Sequence, residues 1–353
     1  MPNGLTISID GMGGDHAPDM VIEGVDIAAR RHQGVRFLVH GDEIRLNALL
    51  AARPEARAVT TAVHAEKAIA MDAKPSQALR QGRGSSMWNA LVDVEEGRAD
   101  ATISAGNTGA LMAMAKLRLR TMEGVHRPAI VGSWPTPRGQ IVILDIGANL
   151  EVDAEQLVEF AIMGEAFHRA LYGVARPSVG LLNIGTEDLK GHEEIRGAAK
   201  LIRDAGVDIG FIGFVEGDGI SGGAADVIVT DGFTGNVALK TGEGTAKLAA
   251  HFLTEALKSG PFAIIGALIA YPALKKLKEK MDPRSVNGGV FLGLNGVVVK
   301  SHGGTDGRGF AAAIDVAVQM ARSHFREEIA RNLARLNAAE KALAAAPAES
   351  DPT

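Results

Sequence analysis

The sequence predicts an α/β protein with a mostly parallel, helix-covered sheet. Short β-branched apolar runs alternate with helical periodicity along most of the chain. Each run ends in a small, polar, glycine-containing corner, and the same corner grammar recurs from one end of the chain to the other. The clearest case is Asp226 to Asn236. Val227 to Val229 suit a buried strand, Thr230-Asp231-Gly232-Phe233-Thr234-Gly235-Asn236 make the corner, and a long helix is expected from Val237. Glycines let backbone N–H groups approach a ligand, and a helix start offers about four unpaired donors at a positive dipole end. Such a corner suits an anion.

Taken in order, Ile7-Ser8-Ile9 runs into Asp10-Gly11-Met12-Gly13-Gly14-Asp15-His16, and Pro18 opens a helix through about Arg31. Val35 to Val39 and Val59 to Val63 read as strands around a helix ending near Ala52. Residues 71–84 form a mobile basic segment carrying Lys74, Arg80 and Arg83, with a short helix from Ser76. Ser85-Ser86 cap a helix that Gly97 ends. Ala101 to Ile103 lead into Ser104-Ala105-Gly106-Asn107-Thr108-Gly109 and a small-residue helix, Ala110 to Leu119, suited to burial. Strands follow near 129–133 and 141–144, the second leading to Asp145-Ile146-Gly147-Ala148-Asn149. Asp153 caps a helix to Tyr172, and strands at 179–182 and 209–213 flank another helix. Val297 to Val299 lead to Lys300-Ser301-His302-Gly303-Gly304. Because ligands in open α/β sheets bind beyond the carboxyl ends of the strands, these corners are expected to converge on one crevice.

The rhythm breaks between Gly235 and Asp282. A helix to about Lys258 precedes an apolar stretch, Phe262 to Tyr271, and then Lys275, Lys276, Lys278 and Lys280 beside Leu274, Leu277 and Met281. That pattern fits either a segment lying in a membrane interface, with Phe262, Ile265, Leu268 and Ile269 as its contacts, or an apolar subunit contact with a solvated lysine edge. The expected organisation is one α/β domain over 1–337, a helical protrusion near 240–282, and a frayed helix end and disordered tail over 338–353.

Composition closes several routes. With no Cys there are no disulfides, thiolate zinc sites or Cys nucleophiles. Aromatics at 4% and a net charge of −5 argue against nucleic acid as a partner. No apolar run approaches the ~20 residues needed to span a bilayer, and no signal pattern opens the chain, so a cytoplasmic location is expected. Gly11-Met12-Gly13-Gly14 lacks the dinucleotide spacing, no P-loop occurs, His192-Glu193-Glu194 lacks a second His, and there is no G-x-S-x-G elbow. The residues alone reach an α/β enzyme or binder with an anion site.

Five motifs carry the reading further. Ile9 to Pro18, Ser104 to Ala110, Leu144 to Asn149, Gly180 to Gly191 and Thr230 to Asn236 resemble, in order, the signatures of bacterial phosphate acyltransferases. The likeness spans roughly residues 5–330. Gly11, where Ala is common, Gly217-Asp218-Gly219 and the C-terminal tail depart from the pattern. The resemblance implies a homodimer with a fold like the isocitrate and isopropylmalate dehydrogenases and the phosphotransacetylases. It implies transfer of a fatty acyl group from acyl carrier protein to inorganic phosphate, giving acyl phosphate for phospholipid synthesis by a membrane glycerol-3-phosphate acyltransferase. No nucleotide, metal or reductant is expected. A phosphotransacetylase-type enzyme using acyl-CoA is the alternative, and a non-catalytic membrane scaffold a third reading.

Phosphate needs little activation, since a phosphoryl group has a second pKa of about 6 and much of the phosphate is already dianionic at neutral pH. The site must gather anions and stabilise an oxyanion. Lys190, in the Thr186-Glu187-Asp188-Leu189-Lys190-Gly191 corner, is the candidate cation. Asn236 is a candidate oxyanion donor, and His16 would bind phosphate or protonate the departing thiolate. Gly13, Gly14, Asn107, Thr108, Asn149, Thr186 and Thr234 are candidate substrate contacts. Asp10, Asp15, Asp145 and Asp231 are expected to orient donors, because bare carboxylates would repel phosphate. The lysines at 275–280 would attract either anionic lipid or acidic carrier protein.

Overall fold

The computed structural model describes residues 4–280 and 287–345. In chain order the first half comprises β1 (Thr6–Asp10), α1 (Asp19–Arg31), β2 (Arg36–Gly41), α2 (Glu43–Ala51), α3 (Pro54–Val59), β3 (Thr60–His64), α4 (Pro75–Gln81), α5 (Ser86–Glu95), β4 (Ala101–Ser104) and α6 (Thr108–Leu119). A hairpin follows, β5 (Ala129–Thr136) and β6 (Gly139–Leu144). Then come α7 (Ala154–Tyr172), β7 (Ser178–Leu182), α8 (Glu193–Asp204), β8 (Gly210–Val215), α9 (Gly217–Gly222), β9 (Val227–Val229) and α10 (Gly232–Lys258). The chain closes with α11 (Pro261–Ile269), α12 (Tyr271–Lys280), β10 (Gly289–Leu292), β11 (Val297–Lys300), α13 (Gly307–Arg322) and α14 (Phe325–Ala345).

These strands form one 11-stranded sheet in the order β3-β2-β1-β4-β11-β10-β5-β6-β9-β7-β8. The block from β3 to β11 is parallel. Direction then reverses at β10, at β5 and again at β6, and β9, β7 and β8 run parallel to β6. Three reversals leave the two parallel blocks pointing oppositely. The register sets Ile9, Ile103 and Val299, near the ends of β1, β4 and β11, in one row with Leu144, Val229 and Leu181, near the ends of β6, β9 and β7, so the carboxyl ends of both blocks meet along one line across the sheet. That register agrees with the expectation that the corners converge, with the two blocks approaching the shared row from opposite sides. The corners after β1, β4 and β11 form the first carboxyl edge along this row, and those after β6, β9 and β7 the second.

One face is covered by α1, α13, α7, α8 and α14, over a core that includes Ile7, Ile9, Phe37, Phe160 and Phe310. The other carries α4, α5 and α6 beside α10 and α9. Local chemistry fixes the ends. Asp153 and Gln156 form a reciprocal capping box on α7, Ser85 caps α5 through Trp88 N, and Gly97 follows α5 at φ +70°. The long-helix corner differs from its sequence reading. Gly232 to Asn236 are already the first turns of α10, with Asp231 as the N-cap. From Asn236 to Leu277 no described side chain is buried. After β11, α13 ends at Arg322 and a separate helix, α14, carries the backbone to Ala345, so residues 338–345 are helical and not tail, while Met281 and residues 346–353 lie outside the described residues.

A polar knot seats α5 on the sheet. Buried Asp93 accepts from Ser8 Oγ at 2.8 Å, His40 at 2.6 Å and Arg98 at 2.8 Å. Burial pushes its carboxyl upward, but the bonds from His40 and Ser8 outweigh it and hold the pKa below the ordinary value. Asp93→Ala should therefore cost about 1–3 kcal/mol in urea unfolding, since His40 and Ser8 lose a buried acceptor. With the folded pKa depressed, that contribution should be present above the unfolded-chain value of about 3.9 and fade as pH falls through the folded value. A variant as stable as wild type at pH 7 would contradict this role.

Candidate active site

The first edge is organised by Asp10. At the end of β1 its carboxylate is buried and accepts from Ser86 Oγ at 2.6 Å and Ser104 Oγ at 2.7 Å. It thus ties the first corner to α5 and to the end of β4. Gly13 passes so close that a Cβ would lie 2.5 Å from Asp10 Oδ2 and 2.7 Å from Gly106 N. Gly14 has φ +108°, where a side chain is strained. Asp15 N donates to Gly303 O at 2.9 Å, which joins this corner to the one after β11. Asp15 and His16 are exposed beside it.

Asn107 caps α6 through Ala110 N at 2.9 Å. Its amide donates to Met71 O at 2.7 Å and Ala73 O at 3.0 Å. The basic segment expected to be mobile is therefore strapped to this corner. Thr108 is exposed at the start of α6.

Sequence reading named the corner at Lys300 but not the lysine. It ends β11, between β4 and β10, and its stem is largely enclosed. The ammonium donates to Ser301 O and, at 3.5 Å, to Ala105 O. An ammonium has three donors, so these two carbonyls leave one for a ligand. Burial lowers its pKa to about 8, against the opposing pull of Asp10 and Asp15, with repulsion from Lys240 adding to the fall. The available signal was a lysine closing an otherwise all-valine strand.

At the second edge the carboxylates consume donors. Asp145, fully buried, accepts from the backbone N–H of Ile130, Gly147, Ala148 and Asn149 and from the Asn149 amide, at 2.7–3.2 Å. Burial nonetheless raises its pKa. Asn149 spends its remaining donor on Pro128 O at 2.9 Å. Asp231 likewise occupies the start of α10, accepting from Thr234 N and its hydroxyl at 2.8 and 2.7 Å. The expectation that these N–H groups are open to an anion is corrected, because the protein's own carboxylates fill them.

Asn236 is exposed and donates to Ile146 O at 3.1 Å. Lys190 and Thr186 are exposed in the corner beside Asp231, where Asn183 holds the loop by donating to Lys190 O. One element links the edges. α10 starts at Asp231 and crosses the sheet past Ile141, Ile143 and Trp134. Lys240 is one turn beyond Asn236 and close enough to Lys300 for their charges to interact. No group of His, Asp and Glu able to hold a metal ion occurs among the described residues.

Fold and site together define an α/β enzyme with the phosphotransacetylase architecture. Phosphotransacetylases from Staphylococcus aureus and Streptococcus pyogenes match it with TM-scores of 0.59 and 0.60, covering 90% of this chain and 94% of theirs. A 4-hydroxythreonine-4-phosphate dehydrogenase from Klebsiella pneumoniae matches at 0.55. At 14–16% identity these likenesses establish the fold alone.

Sequence comparison settles the family. A model described as "Fatty acid synthesis protein" matches residues 5–328. Phosphate acyltransferases of Caulobacter vibrioides and Parvibaculum lavamentivorans are 57% and 52% identical, covering 97% and 99% of this chain and 95% and 98% of theirs. The chain belongs to the phosphate acyltransferase family and is an acyltransferase.

The lowered pKa of Lys300 makes a test of the first edge. If its charge serves the reaction, activity should decline as pH rises through about 8. Lys300→Arg should move that decline to higher pH, and Lys300→Met should lower turnover at least tenfold, about 1.4 kcal/mol. The same lowered value means that this group's contribution to stability rises with pH between about 8 and the unfolded value of about 10.4. An activity profile unchanged in Lys300→Met would remove the residue from the site.

Proposed function

We propose that the protein transfers a fatty acyl group from acyl carrier protein to inorganic phosphate, giving acyl phosphate for membrane phospholipid synthesis. The observation that carries the reading is a cation without a protein nucleophile. Lys300 lies where glycine-lined corners meet, the chain has no Cys, and Ser86 and Ser104 donate their hydroxyls to buried Asp10. The attacking group must then be the second substrate. A phosphate oxygen attacks the thioester carbonyl, the C–S bond breaks, and the phosphate proton ends on the departing thiol. Lys300 gathers phosphate, exposed His16 relays the proton, and Asn236 on α10 with Lys190 stabilises the oxyanion.

The helical arm completes the proposal. Phe262 and Ile269 on α11 are 90% and 78% exposed, and Ile265 and Leu268 are exposed beside them. No single described helix is long and apolar enough to cross a membrane, although α10 and α11, bent by 114°, pass that test as a pair. A bent apolar elbow suits shallow burial in an anionic leaflet, with Lys275 and Lys276 exposed on α12 beside it. The membrane is proposed as its seat because acyl phosphate is an amphiphile bound for a membrane acyltransferase. Val237, Leu248 and Phe252, exposed along α10, offer a second copy of the chain an apolar contact.

Turnover with long-chain acyl carrier protein compared with acyl-CoA, each with phosphate, tests the donor. The carrier should be used far more efficiently, and a preference for acyl-CoA would favour a phosphotransacetylase-type activity. Lys190→Ala and Asn236→Ala should each lower turnover at least tenfold, about 1.4 kcal/mol or more, while unfolding as wild type does. Near wild-type rates in both would move the reacting centre wholly to the first edge. Leu268→Glu should abolish flotation with anionic liposomes and keep turnover. Loss of dimerisation in that variant would instead make the elbow a subunit contact.

A further inference from the structure

The helical layer that carries Asn107 also holds a cavity. It encloses about 610 Å³ and is lined by Leu79, Arg80, Arg83, Trp88, Glu96 and Arg118, among others. α4 and the turn after it form one wall, α5 another, and the last turn of α6 the third. None of these residues belongs to the site described above.

Its chemistry is that of a recognition surface. Arg118 lies over the Trp88 ring with Cζ 5.0 Å from the centroid, and it pairs with Glu95. Its Nε atom is buried without a hydrogen-bond partner. A buried guanidinium donor left unmet is costly, so the wall holds a donor whose acceptor the fold does not supply. Arg80 spends Nε on Ser76 O at 3.2 Å, and Arg83 is exposed on the opposite wall. Tryptophan and arginine are the residue types that anchor protein interfaces.

Charge selects the partner. The whole chain has a net charge of −5, yet residues 73–92 contain Lys74, Arg80 and Arg83 and no Asp or Glu. Residues 101–122 contain Lys116, Arg118 and Arg120, again with no acid. Those stretches are α4, most of α5, and β4 with α6. The acids nearest the groove, Glu95 and Glu96, are paired with Arg118 and Arg98. A basic groove on an acidic protein steers and registers an acidic partner.

Placement says what that partner delivers. Arg118 is eleven residues along α6 from Asn107, about 16 Å by the helical rise. The strap from Asn107 to Met71 and Ala73 fixes α4 to the same corner. A partner in the groove is therefore held at a set distance from the site, beyond the reach of its own surface. It must present its acyl group on a flexible arm. A concave groove receives a protruding acidic part of a folded partner better than a flat lipid surface.

We infer that the groove between α4, α5 and the end of α6 docks the acidic face of the carrier protein that brings the acyl thioester. This inference rests on the donor reading proposed above. The test uses the full-length protein, acyl carrier protein as probe, and the exposed-residue variants R80E/R83E and R80K/R83K. Equilibrium binding and turnover are measured together at low and high salt. R80E/R83E should weaken carrier binding and raise its half-saturating concentration at least tenfold, with kcat unchanged. R80K/R83K should retain most of the binding, and high salt should erase the difference. Equal carrier binding by wild type and R80E/R83E would overturn the inference, as would a fall in kcat at unchanged binding. So would a variant that keeps carrier binding but loses flotation with anionic vesicles, which would assign the arginines to the membrane. If wild type itself neither binds nor uses the carrier, the donor reading fails, and this inference with it.

Discussion

A carboxylate taken out of water has to be met by donors from its surroundings, and the loops at the carboxyl ends of both parallel blocks are folded around that demand. Asp10 gathers two serine hydroxyls from α5 and the end of β4. Asp145 gathers three backbone N–H groups and the Asn149 amide from the turn that follows it, and a fourth N–H from Ile130 on β5. With their oxygens so met, these residues are not proposed to bind phosphate themselves. They fix the corners from which other groups reach it, and they use up donors that an anion would otherwise take. Charge at the site is then left to side chains that stay unsatisfied or half-buried, with Lys300 foremost.

The reversal in the middle of the sheet sets the remaining geometry. Because β10, β5 and β6 alternate in direction, the two parallel blocks extend oppositely from one shared row of residues and end their strands along it. α10 makes the connection. It leaves the second edge at Asp231, crosses the sheet, and brings Lys240 within charge range of Lys300 before continuing into the exposed arm. One helix thus joins the chemistry to the apolar elbow proposed to meet the membrane.

Much of this was legible in the residues. Ser85, Asp153 and Gly97 end or begin helices by short-range chemistry, and the apolar runs placed most strands within a residue or two. β10 was not legible, since Gly289 to Leu292 carries one β-branched residue between Gly288 and Gly293, and with it went the antiparallel centre. The corner after β9 looked like a loop because its glycines disfavour helix, yet Asp231 caps that turn and Gly235 packs on the Asp145 carbonyl. Lys300 was hidden for a different reason. A lysine at a strand end reads as solvated until neighbouring strands on both sides enclose it.

The account places the phosphate at the first edge, held by a largely enclosed lysine among the glycine corners. A crystal structure with phosphate bound tests that placement most directly. The account predicts a phosphate oxygen within hydrogen-bond distance of Lys300 Nζ, beside Gly13 and Gly303. Phosphate seated at the Lys190 corner, with no contact to Lys300, would contradict it.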